Sequence, residues 1–143
     1  MNLCKRNAPG VLTSSPRAFL FMKRPKKKLL TIGKLKAKAD RALQDYFRRI
    51  KQYCEMCGRP YQVAHHFIYK SSSNYLRYDE RNLVFCCNGC HYKFHPPNPD
   101  PEYPVIVANR RGEEWVDYIR ENRHKLKRDN RIELEELLIK YKL

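Results

Sequence analysis

Acid is missing where base is most abundant. Residues 1–39 hold eleven Lys or Arg and no Asp or Glu. Long apolar runs are missing too. The longest, Ala18 to Met22, is five residues, against about 20 for a membrane-spanning helix and about 7–15 for the core of a secretory leader. A membrane anchor and a leader are both set aside, and we expect a cytoplasmic protein. Leu, Ile, Val and Phe are scarce, 33 of 143 residues or 23%. That sits just above the roughly 20% that marks disorder when net charge is high. The folded part should therefore be smaller than the chain. No internal repeat is visible.

The charge that is present is lopsided. Thirty bases against fifteen acids give +15, and residues 1–39 carry +11 of it. A basic arm on a nearly balanced remainder suits polyanions, and nucleic acid above all. Lys23, Arg24, Lys26, Lys27 and Lys28 are its densest stretch and the expected phosphate contacts. A solvated tail, a nuclear-import signal or a membrane-surface patch would show the same stretch.

Four regions follow from composition and periodicity. Residues 1–30, with three Pro and no period, read as a flexible basic arm. Residues 31–52 read as a helix capped by Thr31, with Leu35, Ala39, Ala42, Leu43, Tyr46, Phe47 and Ile50 on one stripe. Residues 53–97 form a dense centre: a strand within Tyr61–Tyr69, a Ser-rich loop, a second strand at Leu83–Cys86, and a helix from Asn88 to Pro96. Residues 98–143 open with a proline-rich connector. A strand at Val105-Ile106-Val107 comes next, then a helix from Glu113 to about Leu126. A last helix is expected behind an Asn130–Glu133 capping pair.

Four of the six cysteines make two knuckles, Cys54-x-x-Cys57 and Cys87-x-x-Cys90, 29 residues apart. Each tight turn can give two thiolates to one tetrahedral zinc. Disulfides are disfavoured in a cytosolic setting. Cys86 competes with Cys87 for the ligand role, and the spacing favours Cys87. Cys4 stands alone in the arm.

Four of the five histidines fall inside this frame. His91 and His95 are four apart, so one helix face can present both to a metal. His65 and His66 are neighbours on a strand and point to opposite faces. One can bind metal while the other does something else. A closed all-Cys site and an open His site are thus implied, and an open site is the catalytic arrangement. His joining the Cys site, or His91 and His95 standing free on the surface, remain alternatives.

In order, Cys54-Glu-Met-Cys57, Val63-Ala-His65-His66-Phe67, Arg81-Asn82-Leu83-Val84 and Cys87-Asn-Gly-Cys90-His91 resemble the HNH endonucleases. The resemblance implies an α+β fold: a zinc-stapled ββα-metal core flanked by helices, behind a flexible basic arm. It implies that His66 is the general base and that Asn82 holds the loop bearing it. His65, His91 and His95 would bind a catalytic divalent cation. Mg²⁺ or Mn²⁺ is the first expectation for that cation, with Zn²⁺ or Ni²⁺ behind. Cys54, Cys57, Cys87 and Cys90 would hold structural Zn²⁺. Products would carry 5′-phosphate and 3′-hydroxyl ends. The segment Leu76 to Asn82, the helix before Cys54 and the tail from Arg111 are similar to the NinG/Rap phage recombination nucleases. That narrower likeness implies branched DNA, such as Holliday junctions or D-loops, and a phage or bacterial host cell.

Arg77 and Arg81 are expected phosphate contacts in the loop between base and Asn. His124 is expected on the surface, and Trp115, Tyr118 and Ile119 in the core. The helices of 113–143 balance eight acids against eight bases and could support a homodimer or dock a recombination protein. The competing reading is a non-catalytic zinc-stapled module that grips nucleic acid without cutting it.

Overall fold

The computed structural model describes residues 29–97 and 99–142. The basic stretch Lys23 to Lys28, Cys4 and nearly all of the expected arm lie outside the described residues. The described chain mixes helix with one small sheet. Its elements are α1 (Ile32–Ile50), β1 (Val63–His66), β2 (Leu83–Cys86), α2 (Asn88–Tyr92), α3 (Glu102–Arg111), α4 (Glu113–Asn122) and α5 (Arg131–Lys140). No helix among the described residues is long and apolar enough to cross a membrane.

Helix α1 begins where Thr31 accepts the Lys34 N–H at 3.4 Å and buries Leu35, Ala39, Leu43 and Phe47. Those four recur every fourth residue, so they form one seam. The seam faces two partners. Leu35 and Ala39 meet Leu134 of α5. Leu43 and Phe47 meet Ala64, Leu83, Phe85 and Tyr141. Ile50, expected on that stripe, is 51% exposed, because the seam has run past the sheet by the last turn.

Strands β1 and β2 pair antiparallel, with His65 opposite Val84 and His66 opposite Leu83. Both outer edges are covered. Gln44 of α1 donates to the Ala64 carbonyl at 2.8 Å and accepts the Ala64 N–H at 2.9 Å, as a neighbouring strand would. On β2, the Glu55 N–H bonds the Phe85 carbonyl, and Arg111 donates to the Leu83 carbonyl at 2.9 Å. Capped edges end a sheet.

That closure explains the first correction. Val105-Ile106-Val107 is not a strand but the middle of α3, since no sheet edge is open to it. Asp100 takes the Glu102 N–H at 3.1 Å, and Arg110 and Arg111 occupy the last turn, where the dipole favours cations. Only Val107 of that trio is buried, in the cluster with Trp115 and Ile119. The first strand is also shorter than its apolar residues imply.

Two further elements differ. Helix α4 stops at Asn122 rather than near Leu126. The buried Asn122 side chain donates back to the Tyr118 carbonyl at 2.7 Å, and Leu126 stands 99% exposed. Asn130 caps α5 by accepting the Ile132 N–H at 3.0 Å. The reciprocal Glu133 bond is replaced by an ion pair to Lys127 at 2.9 Å.

Candidate active site and metal centres

The first knuckle precedes β1 and the second follows β2, so the sheet brings both to one end. The sulfurs of Cys54, Cys57, Cys87 and Cys90 all lie within 4.8 Å of one another. Cys57 and Cys87 are 3.6 Å apart. Four sulfurs at ~2.3 Å around a tetrahedral zinc stand ~3.8 Å from each other, so the donor set fits that ion. Backbone N–H groups of Met56 and Cys90 point at the sulfurs of Cys54 and Cys87, at 3.4 and 3.5 Å. The Tyr103 hydroxyl reaches Cys90 at 3.7 Å. Such donors favour thiolates.

The thiols of Cys57 and Cys90 are pushed in opposite directions. Cys57 is drawn down to about 6, first by a hydrogen bond from the Arg59 backbone. Cys90 is pushed up to about 12, first by burial. Cys86 is outside the cluster: it is fully buried on β2, and burial pushes its thiol far up.

A second cluster forms where β1 faces the end of α2 and the turns after it. His65, His91 and His95 also lie within 4.8 Å of one another. The Nε2 atoms of His91 and His95 are 3.1 Å apart. Helix α2 is only five residues long, so His95 is not on it. Tight turns continue, with the Phe94 and His95 N–H groups bonding the His91 and Tyr92 carbonyls, and the two rings still converge. His65 is buried and stacked on Phe94, with ring centroids 4.3 Å apart. Burial, then His91 and His95, drives His65 down to about 3. Burial and His95 lower His91. Three imidazoles with converging ring nitrogens fit a divalent transition metal. A cation at ~2.0–2.1 Å from each nitrogen would set neighbouring donors about 3 Å apart, as His91 and His95 are.

The Nε2 of His66 is 2.9 Å from the Arg77 carbonyl oxygen. A carbonyl only accepts, so Nε2 carries the hydrogen and Nδ1 keeps its lone pair. Burial lowers the pKa of His66, with the Arg77 carbonyl opposing part of that shift. The ring is therefore mostly neutral at pH 7. His65, His66, His91 and His95 line one cleft of about 580 Å³, together with Asp40, Gln44, Tyr69 and Lys70.

The loop between β1 and β2 is fixed from inside. Asn82 is fully buried. Its Oδ1 accepts the Ile68 N–H at 2.7 Å, and its Nδ2 donates to the Ile68 and Leu76 carbonyls at 2.9 and 3.1 Å. One side chain thus ties both ends of the loop. Arg77 then clamps to α1: its Nε is 3.0 Å and its Nη2 2.5 Å from the two oxygens of Asp40. Its remaining nitrogen bonds the Lys70 carbonyl at 3.2 Å. The guanidinium is committed inside the protein rather than held out toward a phosphate. Arg81 lies over the Tyr118 ring at 4.5 Å.

Trp115 and Ile119 are buried, with the Trp115 N–H on the Arg81 carbonyl at 2.8 Å. Tyr118 is only half-buried, its hydroxyl on Asp79. His124 is exposed. Sequence reasoning missed Asp40, Gln44, Tyr69 and Phe94. Asp40 and Gln44 sit four apart beside the apolar stripe of α1, a signal that a polar face turns inward. Nothing local ties Phe94 to His65.

The family model for HNH endonuclease matches residues 54–96, from the first knuckle to the turn after α2. That stretch is similar to an HNH endonuclease domain, and it carries a cysteine cluster suited to zinc. No curated protein and no solved structure matches the chain.

Proposed function

We propose that this protein is a metal-dependent DNA endonuclease in which His66 is the general base. The observation that carries the reading is the His66–Arg77 carbonyl bond. It leaves Nδ1 as the free base in the cleft that also holds the three-histidine cluster. In this account Nδ1 removes a proton from water, the water oxygen bonds to phosphorus, and the bond from phosphorus to the 3′ oxygen breaks. The departing oxygen takes a proton from solvent, leaving 5′-phosphate and 3′-hydroxyl ends. A divalent cation held by His65, His91 and His95 would offset charge on the scissile phosphate and the leaving oxygen. Cys54, Cys57, Cys87 and Cys90 hold zinc as a structural staple. Asn82 and Asp40 position the base: Asn82 fixes the loop, and Asp40 fixes Arg77, whose carbonyl orients His66.

Three imidazoles with no carboxylate suit Zn²⁺ or Ni²⁺, while Mg²⁺ and Mn²⁺ prefer oxygen donors. Mg²⁺ or Mn²⁺, expected first, and Zn²⁺ or Ni²⁺ are therefore all tested.

The substrate form rests on the likeness to the NinG/Rap nucleases alone. We take branched DNA as the form to test first, together with a dimer or a recombination partner on the C-terminal helices. Lys23, Arg24, Lys26, Lys27 and Lys28 of the arm, together with Arg81, add phosphate contacts. Incubation with a Holliday junction, a Y-fork and a linear duplex, each with Mg²⁺, Mn²⁺, Zn²⁺ or Ni²⁺, separates the outcomes. Cutting of branched substrates alone supports the narrower reading. Equal cutting of all three removes it and keeps the nuclease.

A further inference from the structure

The linker between α4 and α5 has no part in the site described so far. It reads Arg123-His124-Lys125-Leu126-Lys127-Arg128, and all six residues are exposed. Leu126 is 99% exposed, so the run is not anchored by burying its own apolar residue. It is anchored by Asn74. The Asn74 side-chain nitrogen donates to the Lys127 carbonyl and to Asp129, each at 2.9 Å. Lys36 bonds Asn74 at 3.1 Å and Asp129 at 2.9 Å.

The nearby acids are already spent. Asp129 faces Lys36 and Glu133 faces Lys127. Arg123, Lys125 and Arg128 make no ion pair among the described residues, and Lys125 lies over the Tyr75 ring at 5.5 Å. The result is a surplus of three cations on a backbone held in place.

This basic groove, about 540 Å³, has Ser72, Ser73 and Asn74 as its other wall. The two residues just before them, Lys70 and Ser71, line the histidine cleft. One short loop therefore borders both concavities. From Ser71 to Asn74 the chain spans at most about 11 Å, roughly three phosphate steps along one strand of a duplex.

We propose that Arg123, Lys125 and Arg128 grip the phosphate backbone of duplex DNA a few nucleotides from the bond to be cut. This deepens the nuclease reading and rests on it for the placement of the scissile bond. The three cations lie outside residues 54–96, on the linker between α4 and α5, while Ser72 to Asn74 of the opposite wall lie within that stretch.

The test is the salt dependence of binding to a fluorescein-labelled 20-base-pair duplex. It is made on the full zinc-loaded chain in a His66→Ala background. Each phosphate contact contributes about 0.9 to the slope of log K against log salt. The combined Arg123→Gln, Lys125→Gln and Arg128→Gln variant should lower that slope by about 2.7. A control with the same loss of charge, at Arg48, Lys51 and Lys142, should lose much less. An unchanged slope in the linker variant overturns the proposal, as does an equal loss in the control. Cutting by the wild type is measured separately. Loss of slope in a protein that never cuts keeps the DNA surface and removes the nuclease.

Discussion

The Nε2 of His66 and the main-chain oxygen of Arg77 are 2.9 Å apart, and the Arg77 side chain is locked to Asp40. The ring of His66 is thus held in one tautomer by a carbonyl that α1 helps to place. Substituting Asp40→Asn should lower DNA cleavage with little change in DNA affinity, since Asp40 acts through Arg77. A matched loss of affinity would instead make Asp40 part of the binding surface.

The same pair sets a pH dependence of stability. Burial alone would raise the Asp40 carboxyl, but the Arg77 hydrogen bond and charge outweigh it, with Lys70 adding to them. The group sits below its ordinary 3.8. A depressed carboxylate stabilises the fold above its unfolded pKa, and that contribution is lost as pH falls through the folded value. Urea midpoints for wild type and Asp40→Asn should differ at pH 7 and at pH 5, then converge below pH 4. A constant gap down to pH 3 would contradict this.

Asn82 should be a stability residue as much as a functional one. Replacing it with Ala strands the Ile68 N–H and two carbonyls in a buried place. A loss of about 2–4 kcal/mol is expected from denaturant titration. A loss under about 0.5 kcal/mol would mean that the loop is held elsewhere.

The two clusters should separate on metal removal. The cysteine cluster staples the ends of a small core, so a strong chelator, or Cys57→Ser, should unfold the domain by circular dichroism. Exchange of His91 and His95 for Ala should spare the fold and the tightly bound zinc, while removing a second metal equivalent in calorimetric titration. Unfolding of the histidine variant would make that cluster structural.

What the sequence made legible is what chemistry fixes locally. A Cys-x-x-Cys turn carries its own geometry, so the convergence of the two knuckles could be expected from spacing. The helical stripe of α1 was equally plain. The partnership of Asp40 with Arg77 joins residues 37 apart, and only the tertiary fold can supply it. Gln44 standing in for a strand is hidden for the same reason. Val105-Ile106-Val107 misleads because β-branched residues favour strands only where a sheet edge is open. Here Gln44 on one side and the first knuckle on the other have closed both. Arg77 looked like a phosphate contact because charge in a loop is usually solvated, and its acid partner sits on another element.

The central claim is that His66 drives metal-dependent cutting of DNA. Its most direct test compares wild type with His66→Ala on plasmid and junction DNA across Mg²⁺, Mn²⁺, Zn²⁺ and Ni²⁺. The zinc staple is kept loaded and DNA binding is measured in parallel. Removing a general base typically costs 10²–10⁴-fold in rate. The account predicts cutting by wild type with an added divalent metal and a loss of about 100-fold or more in His66→Ala, with binding unchanged. A zinc-loaded wild type that binds DNA and leaves it intact with every metal would contradict it and establish a binding module instead.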